Sequence, residues 1–159
     1  MTTDLHVVLV RPEIPPNTGT IARLCAATAT RLHLIRPLGF SLEDRYLKRA
    51  GLDYWPHVDV VVHDDWEQFL AQERAQSLLF FSARAARSYL DAPYTTPATT
   101  HLVFGGETHG LPAALRATHQ DALYRIPIFN NSVRSLNLAN AVAIVLYEAL
   151  RQCGALANE

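Results

Sequence analysis

The chain has 159 residues, 49% of them apolar and 18% charged, and a formal net charge of -1. Such a chain has the length and apolar content of one ordinary domain that buries a core without staples, so a single domain over residues 1–159 is expected. The near-zero charge argues against a protein that coats nucleic acid through a generally basic surface. No apolar run approaches bilayer-spanning length, and Met1 to Asp4 lacks the basic start of a signal peptide, so a cytoplasmic protein without a membrane is expected.

In chain order, the first apolar run, Leu5–Val10, predicts a strand. It is followed by RPEIPPNTGTIARL, Arg11 to Leu24, in which Pro12, Pro15 and Pro16 stiffen a loop. Asn17 or Thr18 is suited to cap a helix over Thr18–Ala29 that carries Arg23. Further strands are predicted at Leu32–Ile35, Val58–Val62, Leu78–Phe81, His101–Phe104 and Leu123–Ile126. Helical patterns lie between most of them. Ser41–Arg49 opens on a capping serine with Asp44 three residues on and stops before Gly51. His63, Asp64 and Asp65 read as a strand end running into the cap of a helix over Asp65–Glu73. Pro112–Ala117 is a short helix, and Leu136–Cys153 a long one, apolar on nearly every side.

Six continuous apolar strands alternating with helices predict an α/β fold, a mostly parallel sheet with helices on both faces. A last helix with Leu138, Val142, Ile144, Val145, Leu146, Ala149 and Leu150 wrapped around its axis needs cover on more than one side. A second copy of the chain is the expected source of that cover. Cys25 and Cys153 are far apart, each in an apolar stretch, and read as buried free thiols. Residues 1 to 50 carry seven Lys or Arg against four acids, the remainder seven against eleven. A phosphate-facing surface is therefore expected from Arg11, Arg23, Arg31, Arg36, Arg45, Lys48 and Arg49.

Three segments do not read as scaffold. Arg11 to Leu24 presents polar groups at a strand's C-terminal end, where open α/β sheets bind ligands. It lacks the G-x-G spacing of a Rossmann nucleotide site. FGGETHGLP, Phe104 to Pro112, has Gly105, Gly106 and Gly110 to admit a close ligand, with the carboxylate of Glu107 among them. Leu111 and Pro112 after its last glycine exclude a Walker loop. IPIFNNSVRSLNLANA, Ile126 to Ala141, clusters Ser132, Arg134, Ser135, Asn137 and Asn140 where the apolar helix begins. Buried amides need partners, and a ligand or substrate role is assigned to them in preference to capping. His101, His109 and His119 show no ligand-like spacing, so no metal is expected. The G-x-S-x-G elbow of a serine hydrolase is absent from the sequence.

NTG-x-x-x-R-L, FGGETHGLP, and IP followed by SLNLANA resemble the three motifs of the SPOUT superfamily of RNA methyltransferases. PEIPPNTG, RLCA, RLHLI, RAGLDYW and LYEALRQ are similar to its minimal subfamily, which methylates the ribose of the wobble cytidine or uridine of tRNA and lacks an added RNA-binding domain. The resemblance runs nearly end to end. It implies a deep C-terminal trefoil knot, S-adenosylmethionine as cofactor with S-adenosylhomocysteine as product, and a homodimer acting on the tRNA anticodon stem-loop. It further implies a cofactor pocket from Phe81, Gly105, Glu107, Ile126, Ile128, Ser135 and Leu136. Arg23, Ser135 and Asn137 take catalytic positions, and Asn17, Arg23, Glu107 and Arg134 meet the RNA. Arg23 is expected to face the partner subunit's cofactor. Two alternatives stand beside this reading. One is a non-catalytic knotted protein that binds RNA or senses the cofactor; the other is a 2'-O-methyltransferase acting on rRNA or a different tRNA position.

Overall fold

The computed structural model describes residues 4–43, 45, 49, 54–75 and 77–157. Its strands are β1 (Leu5–Val10), β2 (Arg31–Ile35), β3 (Val60–His63), β4 (Ser77–Phe81), β5 (Arg87–Ser88), β6 (Thr100–Gly105) and β7 (Leu123–Arg125). Its helices are α1 (Pro15–Ala27), α2 (Trp66–Glu73), α3 (Ala113–Thr118) and α4 (Leu138–Gln152). Of the helix expected over Ser41–Arg49, residues 44 and 46–48 lie outside the described residues.

The strands pair in parallel throughout, in the order β3-β2-β1-β6-β4-β7-β5. The sheet thus has seven strands, not six. The added one, β5, is two residues long and polar, so neither length nor apolar alternation announces it.

Successive strand residues point to opposite faces, and the sheet sorts its apolar side chains accordingly. Val7, Leu9, Leu32, Leu34, Leu79, Phe81, Leu102 and Phe104 join Ile21, Ala22 and Cys25 of α1 and Val142, Val145, Leu146 and Ala149 of α4 on one face. Val8, Val10, Ile35, Phe80 and Val103 meet Phe69 of α2 on the other. Both faces are covered, which is why these strands read as unbroken apolar runs. Both cysteines are free, with Cys25 buried and Cys153 half-buried.

α4 buries one side only. Leu138, Ala139, Val142, Val145, Leu146 and Ala149 face the core, while Asn140, Ile144, Tyr147 and Arg151 form an exposed stripe at helical spacing. Ile144 and Tyr147 are 38% and 45% exposed. No described helix is long and apolar enough to cross a membrane.

Candidate active site

β1 and β6 lie side by side, yet the chain leaves β1 toward β2 and β3 and returns to fill β6 only after β4. The C-terminal ends of β1 and β6 therefore flank a point where the winding reverses, and loops diverge there to leave a crevice. Arg11–Ile14 leads out of β1 and Gly106–Pro112 out of β6, so two of the three singled-out segments meet at this point.

Their junction is built on the start of α1. The helix begins at Pro15, earlier than Asn17 or Thr18, and its N-cap residue, Ile14, has no side-chain cap. A helix start normally leaves several N–H groups unpaired. Pro15 and Pro16 remove two of them outright. The N–H groups of Glu13 and Ile14 instead donate to the Glu107 carboxylate, at 2.8 and 2.7 Å. A residue 94 positions away from Glu13 along the chain thus caps the helix with a negative charge, which the positive end of the helix dipole favours.

Asn17 extends this junction. Its Nδ2 donates to Glu107 at 3.3 Å, and its Oδ1 accepts from Asn137 Nδ2 at 3.1 Å. Asn137 is the N-cap of α4, with Oδ1 accepting from the N–H groups of Ala139 and Asn140. Capping, set aside from the sequence, is therefore what Asn137 does; Asn140 lies on the exposed stripe. All three segments are joined through Glu107, Asn17 and Asn137. On the other side of the loop, Glu13 accepts from the Thr108 hydroxyl at 2.7 Å.

The glycines serve the turn itself. A Cβ on Gly105 would collide with the backbone of Gly110 and Leu111, and one on Gly106 with the Arg11 carbonyl oxygen. Gly110 has φ +65, which glycine adopts without penalty. The close approach inferred for a ligand is thus made by backbone against backbone. Arg11, at φ 56, also occupies the left-handed region.

A cleft of about 930 Å³ opens beside this turn, and Asn17, Phe81, Gly105, Glu107, Ile126, Ile128, Arg134, Ser135, Leu136 and Asn137 all line it. Its size falls within the range of small-molecule sites. Phe81 stacks on Phe104 at 5.1 Å and stiffens its floor. Ile126, Ile128 and Leu136 give an apolar wall, while Arg134 and Ser135 are exposed at the rim. An adenosyl group fits such a wall, and a ribose or phosphate fits the polar rim. Ser82, Ala83, Arg84, Thr108 and Arg116 also line the cleft and were not singled out individually. Ser82 to Arg84 simply follow β4, so strand-end position was the only signal for them.

Arg23 is the exception. It is exposed on α1 outside the cleft lining, with its guanidinium 4.6 Å from the centroid of the Tyr54 ring. Two other arginines assigned to a phosphate-facing surface are engaged in exposed ion pairs, Arg31 with Asp59 at 2.7 Å and Arg36 with Asp64 at 3.1 Å.

A second polar group lies under α2, on the face of the sheet that α1 and α4 leave free. His6, His33, His63 and His101 are buried there, the last three against Phe69 and His6 against His33 and His101. Burial, then the neighbouring His6 imidazole, pushes His33 down to about 2 and His101 down to about 4. Both rings are neutral at neutral pH.

The SpoU rRNA Methylase family matches this chain over residues 4–147. The tRNA (cytidine(34)-2'-O)-methyltransferase of Escherichia coli strain K12 is 48% identical over 156 residues, spanning 94% of each chain. A solved structure concerned with the 2-OH methylation of C/U34 on tRNA superposes with TM-score 0.88 at 47% identity, covering 95% of this chain and 97% of that one. The SpoU methyltransferase AviRb from Streptomyces viridochromogenes, solved with AdoMet, superposes with TM-score 0.83 at 27% identity, covering 98% of this chain and 62% of that one. A reversed-winding crevice closed by Glu107, with a match over nearly the whole length, makes this chain a member of the SpoU rRNA methylase family, within the SPOUT methyltransferases.

Proposed function

We propose that the protein is a cytoplasmic tRNA (cytidine/uridine-2'-O-)-methyltransferase that moves a methyl group from S-adenosylmethionine to the ribose 2'-hydroxyl of the wobble nucleotide. One observation carries the reading: the bonds from Glu107 to Asn17 and from Asn17 to Asn137, which gather three separate motifs around one cleft. The E. coli relative named for this reaction, matched over 94% of each chain, supports it.

When bound, the cofactor supplies an electrophilic methyl on a sulfonium and leaves as a neutral thioether. The chain's own work is then mostly positioning, an effect worth several kcal/mol, up to roughly 7–11 kcal/mol, in oriented reactions. Phe81, Ile126, Ile128 and Leu136 would hold the adenosyl group, with the Gly105 backbone at the pocket edge. Ser135 and Arg134 hold the ribose and its phosphate. Asn137 fixes the start of α4, and with it the rim, while Glu107 and Asn17 lock the opposite wall. As the O–CH3 bond forms and the S–CH3 bond breaks, the 2'-hydroxyl proton passes to water at the open rim. A guanidinium is no base, so Arg23 would steady charge that develops on the attacking oxygen or the adjacent phosphate.

Arg23 lies outside its own subunit's cleft, and the exposed stripe of Ile144 and Tyr147 on α4 invites a second copy. We infer a homodimer through α4 in which Arg23 serves the partner's cleft. We also infer that the C-terminal chain is threaded as a deep trefoil knot, consistent with cleft loops that follow the adjacent strands β6, β4 and β7.

The test is methyl incorporation into tRNA, with ribose methylation mapped by mass spectrometry. Wild-type protein is expected to methylate the wobble nucleotide. Arg23→Ala is expected to bind S-adenosylmethionine normally in calorimetry and to lose transfer by at least about 100-fold. Cofactor binding without transfer by the wild type would instead favour a sensor.

A further inference from the structure

The histidines under α2 come from separate strands, and register brings them together. His6 of β1 pairs directly with His101 of β6, and His33 of β2 pairs with Val8, two residues along β1 from His6. A two-residue step keeps the same face, so all three rings point beneath α2. There His33 Nε2 lies 2.9 Å from His6 Nδ1 and 3.1 Å from Glu73 Oε1, at the end of α2. One ring nitrogen each of His6, His33 and His101 and a Glu73 oxygen all fall within 4.8 Å of one another.

Hydrogen bonding alone accounts for part of this group. Asp4 Oδ2, His6, His33 and His63 form a chain with contacts of 3.1, 2.9 and 2.9 Å. Without a metal, each of these rings can donate from Nε2, and His6 and His33 accept at Nδ1; a metal on His33 Nε2 reverses that ring, which then donates from Nδ1 to His63 Nε2. His101 is left outside it. The ring is 2% exposed, and its nitrogens bond to no side chain among the described residues, with the Ser77 backbone beside it. A buried imidazole with a single backbone partner still leaves its second nitrogen without return for the hydration it loses. One of those nitrogens belongs to the four-atom group shared with His6, His33 and Glu73.

We propose that His6, His33, His101 and Glu73 form a closed structural site for a zinc ion. Three neutral imidazoles and one carboxylate are a donor set that zinc accepts tetrahedrally, at about 2.0–2.2 Å from each ligand. Ligand atoms in such a tetrahedron stand roughly 3.3 Å apart, so on ligation the 2.9 Å pair of His6 and His33 opens by a few tenths of an ångström, and pairs of the group separated by up to 4.8 Å close toward that spacing. Four protein ligands leave no open position for a substrate. The ion would tie β1, β2, β6 and α2 together at the strands' early residues, with Gly105 at the far end of β6, roughly 13 Å away along the strand. Its role is to hold the sheet, whatever reaction the cleft performs.

The test uses full-length protein without a histidine tag, purified from cells supplied with zinc. Metal per chain is measured by mass spectrometry, and the thermal midpoint is followed with and without a chelator. The wild type is expected to carry about one zinc per chain and to lose several degrees on chelation. His101→Phe, which keeps an aromatic ring against Phe69, is expected to carry none. Glu73→Gln, at the less buried edge, is expected to hold zinc at least about tenfold more weakly and still to fold. Cobalt in place of zinc is expected to give the visible absorption of a tetrahedral site, and Glu73→Gln to weaken it. Wild-type protein without zinc, whose midpoint added zinc does not move, overturns the proposal. So does zinc retained equally by wild type and Glu73→Gln, since the metal would then sit elsewhere.

Discussion

Glu107→Ala tests the junction on which the cleft is built. The carboxylate accepts two short backbone bonds, from Glu13 and Ile14, and one long bond from Asn17. Hydrogen bonds to charged groups contribute about 1.5–3 kcal/mol when shielded. Glu107 is only half-buried and its bond to Ile14 is exposed, which reduces each backbone bond to about 1 kcal/mol. The third bond is long and adds little, so the expected loss is about 2 kcal/mol. For a domain of this size that corresponds to a fall of roughly 4–8 °C in Tm. Glu107→Gln keeps one acceptor oxygen and is expected to lose about half as much. Urea unfolding followed by circular dichroism measures the first effect. Calorimetry with S-adenosylmethionine measures the second, a loss of affinity as the loop and the start of α1 drift from the β6 turn. Glu107→Ala within about 0.5 kcal/mol of wild type and with unchanged affinity would mean that this carboxylate does not hold the junction.

Gly105→Ala is expected to abolish S-adenosylmethionine binding in calorimetry, because its methyl group would enter the backbone of Gly110 and Leu111. Burial raises the Cys25 thiol from 9.0 to about 12. Its stabilising contribution is therefore complete below pH 9 and is lost as pH rises from there toward about 12. At pH 10 the loss is about 1.4 kcal/mol, and Cys25→Ala is expected to show that much less destabilisation between pH 8 and 10 in urea titrations. Ile144→Asp is expected to halve the mass seen in sedimentation while leaving the circular dichroism spectrum unchanged; a variant that stays dimeric would move the interface off α4.

Six strands and four helices were legible because each is long enough to show apolar run or period, and β1 was placed at its observed bounds, Leu5–Val10. β5 was not, since a two-residue polar strand is defined by its neighbour β7 alone. The start of α1 was misplaced for a related reason. Local capping rules point to Asn17 or Thr18, but the capping carboxylate comes from Glu107, and only the fold brings it there. The histidines show the same limit most clearly. Spacing along the chain argued against a metal, yet three parallel strands in register make neighbours of His6, His33 and His101. The cleft residues were recoverable because the motifs sit at strand ends, whereas the reason for the glycines was not. Whether a glycine yields space to a ligand or to its own backbone depends on contacts such as that of Gly106 with Arg11.

The most direct test of the account is a crystal structure of this protein with S-adenosylhomocysteine. The adenosyl group is expected against Ile126, Ile128 and Leu136, touching both the Gly105 turn and the Ser135 segment. A ligand bound away from either stretch, or the two stretches on opposite sides of it with no shared contact, would contradict the assignment of this cleft to methyl transfer.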